Sequence, residues 1–118
     1  MPSHRIDRLS KDIKRELSDI IRNLKDPRLD TMLSVMRTQV TSDLSYCKVY
    51  IGSLEGGEKA REAVEVLKKA AGHVRSELAK RLRVRKAPEL IFIADDSTDY
   101  YQHISSILEE IHNNEQKD

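Results

Sequence analysis

Several residue types are scarce in this chain, and each scarcity excludes a class of protein. The 118 residues include one cysteine, Cys47, which excludes an intramolecular disulfide. No apolar run approaches the roughly 18 residues of a membrane span. The charged N-terminus also lacks the apolar block of a secretion signal. We therefore expect a single cytoplasmic domain that has no contact with a membrane.

Aromatic residues are also rare, with no tryptophan, one phenylalanine and four tyrosines. Proteins that bind single-stranded nucleic acid without sequence preference stack its bases on aromatic side chains. The composition therefore predicts that any contact with nucleic acid is made mainly to its backbone and through its shape.

What the chain does contain is charge of both signs, segregated along the sequence. The net charge is only +1, yet residues 68–86 hold eight lysines and arginines against one acid, Glu77. From Ala87 to Asp118, eight acids stand against Lys117 alone. A surface that is merely soluble usually mixes both signs, so this basic block, residues 68–86, is predicted to bind a polyanion.

The spacing of apolar residues predicts an α+β domain. Apolar residues three and four apart predict helices at residues 3–24, 60–82 and about 97–112. Alternating or continuous apolar residues predict strands at 33–41, 46–51 and 90–94, the first two forming a hairpin. Helices that are apolar on one side must cover the sheet, so we expect two layers and a three-stranded sheet.

Three local features refine this expectation. The alternation in the first strand slips phase, which predicts a bulge near Arg37. The second helical pattern runs unbroken through Gly72, but glycine is unfavourable inside a helix, so Gly72 predicts two helices that meet at a kink, or a close approach to the backbone. Residues 90–94 show no polar alternation, which is typical of a central strand.

The basic block supplies most of the candidate RNA-binding residues. A helical wheel places Lys69, His73, Ser76 and Lys80 opposite the apolar stripe, with Lys68, Arg75 and Arg81 beside it. Arg83, Arg85 and Lys86 extend this surface, and Arg5 and Arg8 of the first helix are further candidates. Backbone N–H groups after Gly72 could bind a phosphate as well. For any single charge, an ordinary solvated helix face is the alternative.

Signals for catalysis and for metal binding are weak. Asp95 and Asp96 are adjacent, so on a strand their side chains diverge, and they suit the start of the last helix instead. The four histidines lack the spacing typical of zinc ligands, and no glycine-rich nucleotide loop is present. We therefore predict a binding protein, with no catalytic residues, no metal and no cofactor.

Short motifs along nearly the whole chain resemble the ribosome-binding factor A family. They are residues 5–9, Asp26-Pro27-Arg28-Leu29, Ser42-Asp43-Leu44, Lys48-Val49-Tyr50, residues 70–75, residues 82–92 and Asp95-Asp96-Ser97. The resemblance implies a type II KH-like fold of order α-β-β-α-kink-α-β plus a C-terminal helix. It also implies that Ala70-Ala71-Gly72 forms a kink where RNA-binding KH domains carry a GxxG loop.

The resemblance further implies a function for this domain, which we place at residues 1–112, ahead of a flexible tail at 113–118. It implies binding to the free small (30S) ribosomal subunit and its 16S rRNA, late maturation, rRNA 5′-end processing and growth in the cold. An assembly GTPase is a possible further partner, and the protein is expected to be a monomer. The alternatives are a module for another RNA, or an adaptor whose acidic last helix docks a basic protein.

Overall fold

A computed structural model describes residues 2–29 and 32–116, with side chains at 5–29, 32–97 and 103–114. The elements are α1 Pro2–Arg22, a 3-10 turn Pro27–Leu29, β1 Leu33–Val40, β2 Tyr46–Ser53, α2 Gly57–Lys69, α3 Ala71–Leu82, β3 Glu89–Ala94 and α4 Ser97–Gln116. This order confirms the predicted α+β class. α4 continues to Gln116, past residue 112, where the sequence places the end of the domain; that boundary stays a prediction.

Within the described residues, the sheet has three strands in the order β1-β2-β3. β1 pairs antiparallel with β2, and β3 pairs parallel with β2. The prediction that residues 90–94 form the central strand is therefore wrong, because β3 lies at an edge. Leu90 and Phe92 are buried in the core, whereas Ile91 between them is 39% exposed. The run is continuously apolar because an isoleucine occupies the solvent side of an edge strand.

One face of the sheet packs against the helices and forms the core. Cys47, Val49 and Ile51 of β2 point inward and are almost fully buried. Their partners from the helices are the buried Ile13 and Leu17 of α1, and Leu67, Val74 and Leu78 of α2 and α3. Burial of one large aliphatic side chain contributes about 1.5–3 kcal/mol. This core holds α1, α2 and α3 in one layer.

The predicted bulge in β1 is confirmed. Val35 pairs with Ile51 and Arg37 pairs with Tyr50, so Met36 is an extra residue between them. The bulge restores the inward direction for Thr38, which interrupts the aliphatic pattern of the strand. The Thr38 hydroxyl donates to the carbonyl of Ser10 at 2.6 Å and so joins β1 to α1.

α4 follows β3 after a short turn. Asp95 accepts hydrogen bonds from the Ser97 N–H at 2.9 Å and from the Ser97 hydroxyl, and these bonds lower the pKa of Asp95. Asp95 thus acts at the start of α4, as predicted. The helix exposes four aliphatic side chains, Ile104, Ile107, Leu108 and Ile111. None of the helices in the described residues is long and apolar enough to cross a membrane.

Candidate nucleic-acid interface

A single non-helical residue, Ala70, separates α2 from α3 and sets the direction of the basic block. Its φ and ψ are −95° and 5°. Its N–H donates to the carbonyls of Val66 and Leu67 at 3.2 and 3.1 Å, and its own carbonyl accepts from Val74 N–H at 3.0 Å. The predicted kink is therefore present, with the break at Ala70 and Gly72 just inside α3.

Gly72 is exposed, and nothing in its surroundings requires a glycine. A Cβ built at this position would meet no atom of the described chain within 4 Å. Its φ is also outside the left-handed region, since Gly56 is the one glycine with positive φ in the described residues. The fold therefore leaves the Gly72 backbone accessible to a partner molecule.

The polar side of the α2–α3 unit faces solvent as the helical wheel predicts. Lys69, His73, Ser76 and Lys80 are all exposed. Val74 and Leu78, on the opposite side of α3, are fully buried. Core packing of the apolar stripe therefore fixes the direction in which these four polar side chains point.

The end of α3 presents Arg83 in an unusual backbone conformation. Its φ and ψ are 58° and 40°, in the left-handed region that favours glycine. The Arg83 N–H donates to the Lys80 carbonyl at 3.2 Å, and the Val84 N–H donates to the Ala79 carbonyl at 3.0 Å, as in a Schellman cap. Arg83, Arg85 and Lys86 are exposed in the loop that follows.

Two arginines of the basic block have structural contacts. Arg75 Nε donates to the Ala87 carbonyl at 3.0 Å, which holds the loop against α3. Arg81 Nη1 lies 3.3 Å from Glu16 Oε2 and 2.6 Å from Asp19 Oδ2, both on α1. The Arg81 hydrogen bond lowers the pKa of Asp19, and Asp19 in turn raises the pKa of Arg81. The sequence does not reveal this pairing, because the partners are 62 and 65 residues apart.

The remaining cations differ in how they are paired. Lys68 lies 3.3 Å from Glu65, and Lys80 lies 3.3 Å from Glu77, each pair exposed and within one helix. Such pairs contribute little to stability and can exchange for a phosphate. In the part of the chain that the structure describes, no ion pair involves Lys69, Arg83, Arg85 or Lys86. We call these the four unpaired cations.

Arg5 and Arg8 are exposed on the N-terminal turns of α1. The ion pairs that join α1 to α3 start from the C-terminal half of α1, at Glu16 and Asp19. Among the described residues, no ion pair or hydrogen bond joins Arg5 or Arg8 to the basic block.

Among the described residues, neither a metal-binding cluster nor a reactive thiol is found. The described residues contain no group of three histidine, cysteine, aspartate or glutamate side chains that could hold a metal ion. Burial raises the pKa of the Cys47 thiol to about 11, which disfavours the reactive thiolate.

Comparison with known proteins gives a consistent assignment. A family model described as Ribosome-binding factor A matches residues 5–108. A Clostridium tetani ribosome-binding factor A is 43% identical over 120 residues, which cover 100% of this chain and 98% of that relative.

Two structural matches are of Thermus thermophilus proteins. The crystal structure of ribosome-binding factor A from this organism matches with a TM-score of 0.66 and 31% identity, over 75% of this chain and 94% of the other. A homology model of the Thermus thermophilus factor, fitted into a cryo-EM map of a 30S–RbfA complex, matches with a TM-score of 0.59 and 33% identity, over 70% and 86%. This chain therefore belongs to the ribosome-binding factor A family and has its KH-like fold.

Proposed function

We propose that this protein binds the free small ribosomal subunit through the basic block on α2, α3 and the following loop. The observation that carries the proposal is the structural match to a family member placed in a 30S complex. The four unpaired cations support it, because exposed lysine and arginine side chains without ion pairs can neutralise rRNA phosphates and release counterions.

The side chains of the proposed contact surface differ in whether they already have a partner within the protein. Lys69, Arg83, Arg85 and Lys86 are its centre. Lys68 and Lys80 can exchange an exposed carboxylate for a phosphate, and His73 and Ser76 lie on the same exposed side. Gly72 allows close approach of the RNA backbone. Arg75 and Arg81 also help to fix the surface in place. Arg5 and Arg8, exposed on α1, are further proposed contacts.

The action we propose is non-covalent and uses no cofactor. The protein holds the cytoplasmic small subunit in an immature conformation near its decoding region until release. In this way it assists late maturation and 16S rRNA 5′-end processing, and it supports growth in the cold. We propose that it acts as a monomer, with an assembly GTPase as a further partner at the release step.

Cosedimentation with purified small subunits tests the proposal. Affinity should fall steeply between about 50 and 200 mM salt, since each phosphate contact displaces counterions. The triple variant Lys69→Glu, Arg83→Glu, Arg85→Glu should lose association with small subunits. A matched control reverses three exposed cations outside the block, Lys14, Lys59 and Arg61. Equal loss in the control would indicate a response to net charge alone and would contradict the proposed surface.

A protein contact through α4 is the second candidate function. Four exposed aliphatic side chains of α4 lie beside acidic ones, Glu109 and Glu110. A basic amphipathic protein segment would complement this surface. Leu108→Glu should then abolish capture of such a partner while small-subunit binding stays unchanged. Loss of small-subunit binding in this variant would place α4 in the ribosomal contact instead.

A further inference from the structure

The face of the sheet that points away from α1, α2 and α3 is largely exposed. Along β2, Tyr46, Lys48 and Tyr50 point outward, alternating with the buried Cys47 and Val49. Tyr46 is 45% exposed. We call this the open face, and its residues are Arg37 and Gln39 of β1, Tyr46, Lys48 and Tyr50 of β2, and Glu89, Ile91 and Ile93 of β3.

The bulge at Met36 determines which side chain stands beside Tyr50. In an unbroken register Met36 would pair with Tyr50, but the extra residue brings Arg37 to that position. The Arg37 guanidinium lies 4.1 Å from the centroid of the Tyr50 ring. An arginine at this distance from an aromatic ring forms a cation–π contact, and its planar group also offers a stacking surface.

The pairing of strands arranges the open face in rows. Arg37, Tyr50 and Ile93 form one row, and Gln39, Lys48 and Ile91 form the next. In the third row, Glu89 lies beside Tyr46 and is the one acid among these outward positions. Lys48 therefore lies on β2 between two aromatic side chains, with Arg37 and Gln39 on the neighbouring strand.

Aromatic residues are common in strands for reasons of packing alone, and this is the simplest account of two tyrosines. The placement of the two tyrosines favours a binding role in addition to packing. Both tyrosines whose side chains the structure describes lie on the open face, whereas Phe92 lies in the core. Among the described side chains, two of the three aromatic ones therefore share a solvent-facing surface with two cations, Arg37 and Lys48.

We propose that the open face binds a short unpaired RNA segment, with bases stacked on Tyr46 and on the Tyr50–Arg37 pair and with Lys48 at the RNA backbone. Base stacking on aromatic side chains tolerates any sequence, because every base has a π face. Open sheets that carry aromatic residues bind single-stranded RNA in this way. The composition alone predicts contacts mainly to the RNA backbone and through its shape, so stacking on the open face is a second kind of contact.

The open face and the basic block lie on opposite sides of the domain. α2 and α3 belong to the helical layer, which covers the inner face of the sheet, and their polar side points outward from it. One molecule could therefore hold two RNA segments at once. The proposal rests on the proposed function only for the identity of the RNA in the cell, since binding of an isolated oligonucleotide can be measured by itself.

Tyrosine fluorescence provides a direct test, because the chain has four tyrosines and no tryptophan. Titration with an unstructured 12-nucleotide RNA should quench the emission as bases stack. Heparin, a polyanion without bases, should bind the basic block with little quenching. Equal quenching by heparin would show that the signal does not report stacking and would count against the proposal.

Variants then locate the site by fluorescence anisotropy of the labelled oligonucleotide. Tyr46→Thr together with Lys48→Ser should weaken binding roughly tenfold or more, whereas Tyr46→Phe, which keeps the ring, should bind as the wild type does. Lys59→Ser, at an exposed lysine of α2, is the matched control for lost charge. Circular dichroism and Tm show whether each variant is folded.

The outcomes separate this proposal from the proposed function. If Tyr46→Thr/Lys48→Ser binds the oligonucleotide as tightly as the wild type, the open face is not a stacking surface. If this variant keeps the oligonucleotide but loses small subunits, the face contacts a protein or duplex RNA, and the proposal is overturned.

If Lys69→Glu/Arg83→Glu/Arg85→Glu loses small subunits but keeps the oligonucleotide, both proposals stand. If that triple variant keeps small subunits, only the basic-block proposal fails.

Discussion

The Arg81 guanidinium on α3 lies 2.6 Å from a carboxylate oxygen of Asp19 on α1, with Glu16 at 3.3 Å from the same nitrogen. These contacts join two helices that pack on the same face of the sheet. A cation of the basic block thus joins α3 to α1. This finding divides the block into cations that hold the domain together and cations that face solvent.

We expect the replacement of Arg81 to affect stability in a pH-dependent way. Arg81 lowers the pKa of Asp19 below its usual 3.8, so the pair stabilises the fold above that pH. The stabilisation is lost as the pH falls through the lower pKa of the folded state. Arg81→Gln should therefore lower Tm near neutral pH, and its difference from the wild type should shrink as the pH falls below 3.8.

Arg22→Gln is a suitable control for this prediction. Arg22 lies 3.8 Å from Asp19 within α1 and is 75% exposed, so it joins no separate elements. It should change Tm less than Arg81→Gln does. An Arg81→Gln protein with the Tm of the wild type at neutral pH would contradict the role of this pair.

Arg83 should show opposite effects on stability and on binding. A side chain in the left-handed region costs about 1–2 kcal/mol, of which glycine recovers part at a cost of roughly 0.5–1 kcal/mol in entropy. Arg83→Gly is expected to stabilise the fold by about 0.5–1 kcal/mol in urea unfolding. The same variant should weaken small-subunit binding and reduce its salt slope by about one phosphate contact.

Leu44 provides the matched control for Arg83. It has φ 63° in the turn between β1 and β2, outside the basic block. Leu44→Gly should relieve similar strain without a change in small-subunit binding. If Arg83→Gly binds as tightly as Leu44→Gly, the Arg83 side chain makes no contact with rRNA.

The sequence predicts local features better than relations between distant elements. The phase slip at Met36 and the helical wheel of α3 use neighbouring residues, so the bulge and the exposed polar side follow directly. The apolar run of β3 contains no information on which strands flank it, and its position at the edge was missed. The contact of Arg37 with Tyr50 depends on strand register. The contact of Arg81 with α1 depends on tertiary packing.

Gly72 allows a test of how closely RNA approaches α3. Because a Cβ there meets nothing in the described chain, Gly72→Ala should fold normally and gain up to about 1 kcal/mol in helix stability. If an rRNA phosphate contacts this backbone, the added methyl group should weaken small-subunit binding in cosedimentation. A variant with raised Tm and unchanged affinity would show that the partner stays farther away than a methyl group.

Cys47 should report on opening of the core. Its side chain is fully buried, and burial raises the pKa of its thiol to about 11, so a thiol reagent near pH 8 should label it only after the domain opens. Leu78→Ala removes a fully buried side chain and should destabilise the fold by about 2–5 kcal/mol. When opening and closing are fast, the labelling rate follows the population of the open state, which predicts an increase of at least about thirtyfold.

Leu108→Ala, at a side chain that is 60% exposed on α4, should leave the rate unchanged. Rapid labelling of the wild-type protein would mean that β2 opens without the helical layer, contrary to a single core.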